Sequence, residues 1–438
     1  MILFKQTDKT LWALALPMIL SNISVSLLGI IDTAVIGHLG NEKYLGGVAI
    51  GTSVTSFIFM LLLFLRMGTT GITAQAFAIF DKNALSSAFV QPMCLAIVIG
   101  IIIIIMRDFL TNGVLNIVGG DQQVLKQACL FMRIRWLGAP ANLANLVIVG
   151  WLFGMQYIRV PVIILFIGNV INIILNLWFI KSLHWNVIGS ASATVITDYI
   201  VLLLSSCLVW HIIKMYDLKL INCYNIWHTN IYQLLVFHRD IILRSLLLQL
   251  CLVSITILGA RIGYKVVAIN TVLMNFMTFT SYFLDGFAYA IEIYSGYAYG
   301  ARNIYQLQSI WHASYRQAIY LATFLTLFYT LFGKYIIKLL TSLPDIQVLA
   351  MDYLPWQIIL PFFGVWCYLF DGIFIGATRG KDMRNSMAIS VLGYSVTLCT
   401  LPYLGNHGLW LSITVFLLLR GMSLWILWQR HQQNNTWF

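Results

Sequence analysis

Twelve runs of apolar residues dominate the chain, each close to or above the ~20 residues an α-helix needs to cross a bilayer. They cover roughly residues 11–37, 46–78, 88–106, 128–155, 160–181, 187–212, 241–262, 266–299, 316–340, 350–377, 386–404 and 407–428. The runs are continuous rather than alternating, which excludes a membrane β-barrel. Hydrophobic residues make up 60% of the chain and charged residues 9%, whereas a soluble domain carries about 25% charged residues. A globule of this composition could not keep its apolar surface from water. The expected fold class is an all-α polytopic membrane protein with twelve transmembrane helices.

The net charge of +11 is accounted for by basic loop residues and contact with anionic lipid, and calls for no nucleic acid. Placing the N-terminus inside puts fifteen Lys and Arg in inside segments and ten in outside segments. The bias favours both termini in the cytoplasm. In this count Arg244 and Arg420 fall on the inside and Arg133 and Arg135 on the outside, leaving Arg66 as the single base deep in a span. The first apolar stretch is too long for a cleaved leader and is expected to remain as a signal anchor. The seven cysteines are scattered without C-x-x-C and are expected to be free thiols. H-E-x-x-H, G-x-S-x-G and Walker A motifs are absent, so nothing supports a metalloprotease, a hydrolase of that type or a P-loop ATPase.

The chain repeats itself at half its length. Ala49-Ile50-Gly51 corresponds to Ala268-Ile269-Asn270, Trp136…Pro140…Gly154 to Trp356…Pro361…Gly376, and Gly189 to Gly408, at offsets of 219 to 222. Six spans per half return the chain to the same side, so the halves are parallel repeats about an axis along the membrane normal. The expected organisation is an N-lobe over 1–212, a cytoplasmic linker over 213–240 that could include a short interfacial helix at Ile226–His238, and a C-lobe over 241–438. Two such lobes suit alternating access by rocking, although duplication for folding alone gives the same pattern.

Asp32 stands in the apolar run 27–37 with no base within a helical turn or two. A carboxylate at that depth is costly and rarely kept without a use. Such an acid can be emptied and refilled with a proton or an alkali cation, which points to ion-coupled transport.

The run Leu16-Pro17-Met18-Ile19…Asp32-Thr33-Ala34-Val35-Ile36-Gly37-His38-Leu39-Gly40, followed by Tyr44-Leu45-Gly46-Gly47-Val48-Ala49, resembles the multidrug and toxic compound extrusion (MATE) family. Phe64-Leu65-Arg66-Met67-Gly68-Thr69-Thr70-Gly71, Leu284-Asp285-Gly286-Phe287-Ala288 and Phe370-Asp371-Gly372-Ile373-Phe374 look like its DNA-damage-inducible F branch. The similarity runs from about residue 7 to Phe438. It implies two six-helix lobes in a V, expelling bulky, often cationic and amphipathic drugs on a proton or sodium gradient. It also implies a coupling site of Asp32, Asn172, Asn176 and Thr194. Many relatives carry a second aspartate on helix five where this chain has Asn176, which weakens the case for a tight Na⁺ site.

Depth supports that cluster independently. Asp32, Asn176 and Thr194 each lie five to seven residues from the outer end of their spans, so all three sit about 9 Å below the outer surface. Asn169, Asn172 and Asn176 share one helical face, as do Thr194, Thr197 and Asp198. Packing glue between helices is the alternative role for the Asn and Thr residues. Pro17, on the same span as Asp32, lacks a backbone donor; the resemblance implies a hinge, and a static kink is the alternative.

Three further acids, Asp285, Glu292 and Asp371, fall in the second half. They could bind substrate cations, take a second proton, form a gate, or be structural acids paired with buried bases. Asp198 is in the same position. By the repeat offset of 219, Arg66 is the counterpart of Asp285, and the two are expected to form an inner gate. Aromatic and Met residues such as Phe57, Met60, Met274 and Phe283 offer either an adaptable ligand surface or packing bulk.

The resulting expectation is a proton-driven multidrug antiporter of the bacterial cytoplasmic (inner) membrane, with Na⁺ as the alternative ion. It uses no cofactor, works as a monomer among membrane lipids, and carries small amphipathic molecules. A lipid-linked precursor flippase of the same superfamily is the first rival, though it would call for a strongly basic cavity. A polytopic membrane enzyme is the second, and no clustered catalytic set supports it.

Overall fold

The computed structural model describes residues 11–24, 42–119, 121–218, 231–341 and 343–437. Among the described residues it is helical throughout, with short turns. We label the helices α1 (Leu11–Ser24), α2 (Lys43–Ala78), α3 (Lys82–Ile105), α4 (Gln122–Gly154), α5 (Arg159–Ser182), α6 (Asn186–Tyr216), α7 (Ile231–Ile262), α8 (Tyr264–Gly300), α9 (Ile304–Leu340), α10 (Pro344–Gly376), α11 (Gly380–Leu404) and α12 (Asn406–Gln433). Helices α2 to α12 are long and apolar enough to cross a membrane, and they match the second to twelfth expected spans in order. The first expected span, 11–37, is described only as far as Ser24; Asp32 lies outside the described residues.

Local chemistry sets the breaks. Asp81 and Asp121 cap α3 and α4 by accepting backbone N–H groups of the first turn. Pro140 has no N–H to offer the carbonyl of Trp136, and α4 tightens into a 3₁₀ turn over Trp136–Gly138. Arg107–Val118 forms an extra helix between α3 and α4. The expected linker 213–240 is shorter than the sequence implied, because α6 runs to Tyr216 and α7 is already helical from Ile231. Asp240 is buried there, accepting from Arg239 at 3.0 Å and from Arg384 at 2.8 Å, so its charge is compensated inside the fold.

The chain forms two compact units, Leu20–Leu234 and a second that joins Leu235–Phe438 to the segment ending at Ile19. The sequence reading puts all of the first span in the N-lobe; here residues 11–19 belong with the second unit. Trp12 of α1 donates its indole N–H to Gln317 Oε1 of α9 at 2.8 Å, and its ring lies 6.0 Å from that of Phe287 on α8.

The internal repeat reappears as a contact. On α4, Gly150 and Gly154 face α2: a Cβ on Gly150 would lie 2.6 Å from Arg66 O, and one on Gly154 would lie 2.8 Å from Thr70 O and 2.9 Å from Ala74 N. On α10, a Cβ on Gly372 would lie 2.5 Å from Ala288 O, and one on Gly376 would meet Glu292 O and lie 2.7 Å from Gly296 N. Only glycine allows the backbones to approach this closely. Every pair in the two clasps is related by an offset of 222. The structural counterpart of Arg66 is therefore Ala288, and that of Glu292 is Thr70. The offset of 219 that matched Arg66 with Asp285 belongs to the start of α8; α8 spends 20 residues from Ala268 to Ala288 where α2 spends 17 from Ala49 to Arg66, so the register drifts by three within this helix pair. We expect Gly376→Ala to cost about 1–3 kcal/mol through overpacking, read as a lower melting temperature of the purified protein in detergent. An unchanged melting curve would mean that the clasp is not tight.

Candidate functional site

In the unit 20–234, α5 and α6 bring the expected polar residues together. Asn172 and Asn176 are one turn apart on α5 and fully buried. Asn176 Nδ2 donates to Asn172 Oδ1 at 2.7 Å, Asn172 Nδ2 donates to Thr194 Oγ1 of α6 at 3.3 Å, and Thr194 Oγ1 donates to the carbonyl of Ser190 at 3.1 Å. One turn before Asn172, Asn169 donates to Ser24 Oγ at 2.8 Å, tying the end of α1 to this face of α5. The i, i+3, i+7 spacing read from the sequence therefore places Asn169, Asn172 and Asn176 on one polar stripe. All of these groups are neutral.

The next turn of α6 carries Asp198, and there the structure settles what the sequence left open. Arg135 Nη1 of α4 donates to Asp198 Oδ2 at 2.8 Å, with both side chains largely buried. Asn142 also bonds the carboxylate. Asn145 donates to the Asp198 carbonyl at 2.9 Å and accepts from Ser205 at 3.3 Å. The Arg135 guanidinium rests 4.7 Å from the Phe59 ring centroid, a cation–π contact that steadies its position. Asp198 is thus a paired acid.

The second unit holds the larger charge cluster. Asp371 Oδ2 on α10 accepts from Arg244 Nη1 of α7 at 3.1 Å and from Arg420 Nη2 of α12. All three residues are buried. Asp285 of α8 lies within the electrostatic reach of both arginines. The group therefore holds two bases and two acids. Tyr368, beside Asp371, bonds Ser281 of α8 at 2.7 Å. Glu292 is buried at the α8–α10 clasp, where Ser295 donates to its backbone carbonyl at 3.2 Å.

Arg66 is buried on α2, but it is not the single deep base: Arg135, Arg244 and Arg420 are buried as well. The sequence count assigned these three to loops because each sits near the end of an apolar run, where an arginine ordinarily flanks the membrane. The helices extend past those runs and carry the side chains inward. The usable signal was the arithmetic of charge: an acid kept in an apolar span calls for a base at similar depth. The bases that reach Asp285 in its own unit are Arg244 and Arg420.

Comparison with known proteins agrees with this architecture. The MatE family profile matches residues 17–178 and again 241–402, two stretches of equal length. DNA damage-inducible protein F of Escherichia coli (strain K12) is 55% identical over 438 residues, covering 100% of this chain and 95% of that protein. The multidrug resistance protein MdtK of Photorhabdus laumondii subsp. laumondii is 23% identical, covering 98% and 97%. Among solved structures, an outward-facing multidrug resistance MATE family transporter of the MOP superfamily superposes with a TM-score of 0.87 at 21% identity, covering 97% of this chain and 96% of that one. A MOP superfamily transporter from Pyrococcus furiosus, described as having a binding pocket of reversed polarity, gives 0.85 at 20% identity, with coverage of 97% and 96%. With its helical plan, its duplicated halves and this degree of identity, the chain belongs to the MatE family of transporters.

Proposed function

We propose that the protein is a secondary active multidrug exporter of the bacterial inner membrane, exchanging amphipathic, often cationic compounds for protons through Asp32. The relatives named above that carry multidrug resistance in their names support the cargo class. The coupling ion is argued from the Asn172–Asn176–Thr194 cluster. Its groups are all neutral, and two of its oxygens already accept hydrogen bonds: Asn172 Oδ1 from Asn176, and Thr194 Oγ1 from Asn172. A Na⁺ site wants several free, preferably anionic oxygens. A proton needs one carboxylate, and Asp32 follows Ser24, which is bonded to this stripe, by eight residues in sequence. Pro17 serves as the hinge that lets α1 respond to the charge on Asp32.

The flippase reading needs a surplus of buried positive charge for an anionic cargo. Arg135 is matched by Asp198, Arg244 and Arg420 by Asp371 and Asp285, and Arg66, the fourth buried base, is equalled in number by the buried Glu292. That balance favours cationic or neutral cargo. Transport is an exchange of bound states, in which the proton and the drug favour different arrangements of the carrier. The decisive experiment is efflux of a cationic dye from sodium-free proteoliposomes with an imposed pH gradient. Efflux at full rate without sodium is the expected result. Efflux that appears only when sodium is added would overturn proton coupling and make Asn172, Asn176 and Thr194 cation ligands.

A further inference from the structure

The second unit contains a pocket of about 420 Å³ between α9, α10 and α12. Its size falls in the range of small-molecule sites, about 300–1,000 Å³. Seven of its ten lining residues are aromatic and none is charged, a wall unlike the aliphatic surface that would suffice to meet lipid. Phe370, fully buried, forms part of the floor, and its ring stacks on Trp311 at 4.9 Å and 24°. Tyr315 and Trp366 meet at 5.2 Å on another wall. Gly421 leaves the pocket open beside Trp366, since a Cβ there would lie 3.0 Å from Trp366 Cβ. Met422 and Trp425, both about half exposed, stand at the rim. Trp311, Phe370 and Trp425 lie six to eight residues from the Ile304, Gly376 and Gln433 ends of their helices. Those ends are on one side of the bundle, so these three residues share one level about 9–12 Å in from it, near the ends of the apolar runs.

We propose that this pocket binds uncharged, planar aromatic compounds dissolved in the membrane. An acyl chain gains from an aromatic wall only the dispersion that leucines would provide, and three helices offer leucines readily. A planar π-system gains in addition roughly two- to tenfold in affinity for each well-placed aromatic partner. A cation fits poorly: no carboxylate lines the pocket, Arg420 directly precedes Gly421 in α12, and π faces are then the only groups to offset the loss of its water. The site is independent of Asp32 and of the transport reading, because binding requires no gradient.

The test uses the full chain in lipid nanodiscs with pyrene as the probe, read by energy transfer from tryptophan and corrected with empty nanodiscs. A saturable component is expected above the linear partitioning. Filling the pocket by Gly421→Leu should weaken that component at least tenfold. Phe362→Leu, at a half-exposed lining position where folding is not at risk, should weaken it several-fold by removing one aromatic partner. Asp32→Asn should leave it unchanged, and 1-pyrenemethylammonium should bind at least tenfold more weakly than pyrene. The proposal is overturned if wild type shows no saturable component, if Phe362→Leu and a folded Gly421→Leu both bind as wild type does, or if the cation binds as well as pyrene. It is also overturned if dibrominated lipid quenches the pocket tryptophans and pyrene does not relieve the quenching, since the occupant would then be an acyl chain.

Discussion

Asp32→Asn is expected to reduce gradient-driven efflux to the level of protein-free vesicles while leaving the melting temperature within a degree or two of wild type. The carboxamide has nearly the shape of the carboxylate but cannot take up and release a proton, so it removes coupling and spares packing. Among the described residues of this site, no other group is placed to substitute. Asn172, Asn176 and Thr194 are neutral and mutually bonded, and Asp198, the nearest acid on α6, is held by Arg135. Loss of the ion exchange removes the differential free energy that biases the carrier between its states, so drug binding persists while pumping stops. Efflux at the wild-type rate in this variant, measured with the same dye and gradient, would rule Asp32 out as the coupling acid.

The second large effect belongs to stability. Asp371→Leu leaves Arg244 and Arg420 facing Asp285 alone, and an uncompensated charge in a buried cluster costs about 3–5 kcal/mol. Arg420→Met alone should cost a similar amount by leaving an excess acid. The double variant restores one base against one acid, Arg244 with Asp285, and should recover most of the loss. The measurement is a double-mutant cycle on thermal unfolding in detergent. If the two single losses simply add in the double variant, the residues do not act as one electrostatic unit, and Asp371 must be sought a role in binding instead.

The sequence was informative where one helix decides the matter and silent where two or more must meet. The second to twelfth spans and the Asn169–Asn172–Asn176 stripe follow from patterns along a single helix, the duplication follows from matched residues half a chain apart, and the structure has them. The ion pairs join residues 63, 127 and 49 positions apart, and no local pattern relates such positions. Arg135, Arg244 and Arg420 read as flanking charges because a run of apolar residues ends near each, although the helix does not. The register of the repeat was misjudged at Arg66 for a related reason. Sequence matches at the start of α8 carry a different offset from the glycine contacts at its end, and only the contacts tell which carbonyl faces which glycine. Asp198 and Asp371 were recognised as acids that need explaining, but the choice between use and pairing depended on seeing the partner.

The buried ion pairs also bear on how the chain enters the membrane during synthesis. In each cluster a base emerges from the ribosome before the acid it serves. Arg135 precedes Asp198, and Arg244 precedes both Asp285 and Asp371. An arginine near the end of a newly inserted span can extend its long side chain to the headgroups and wait there at little cost. A short aspartate has no such reach. Arriving second, it meets a guanidinium already at the interface, and the two can move inward together as the helices close. Arg420, on the last span, comes after its acid and completes a group that one arginine has already made tolerable. The spacing of charge along the chain thus sets a safe order of insertion as well as a balanced interior.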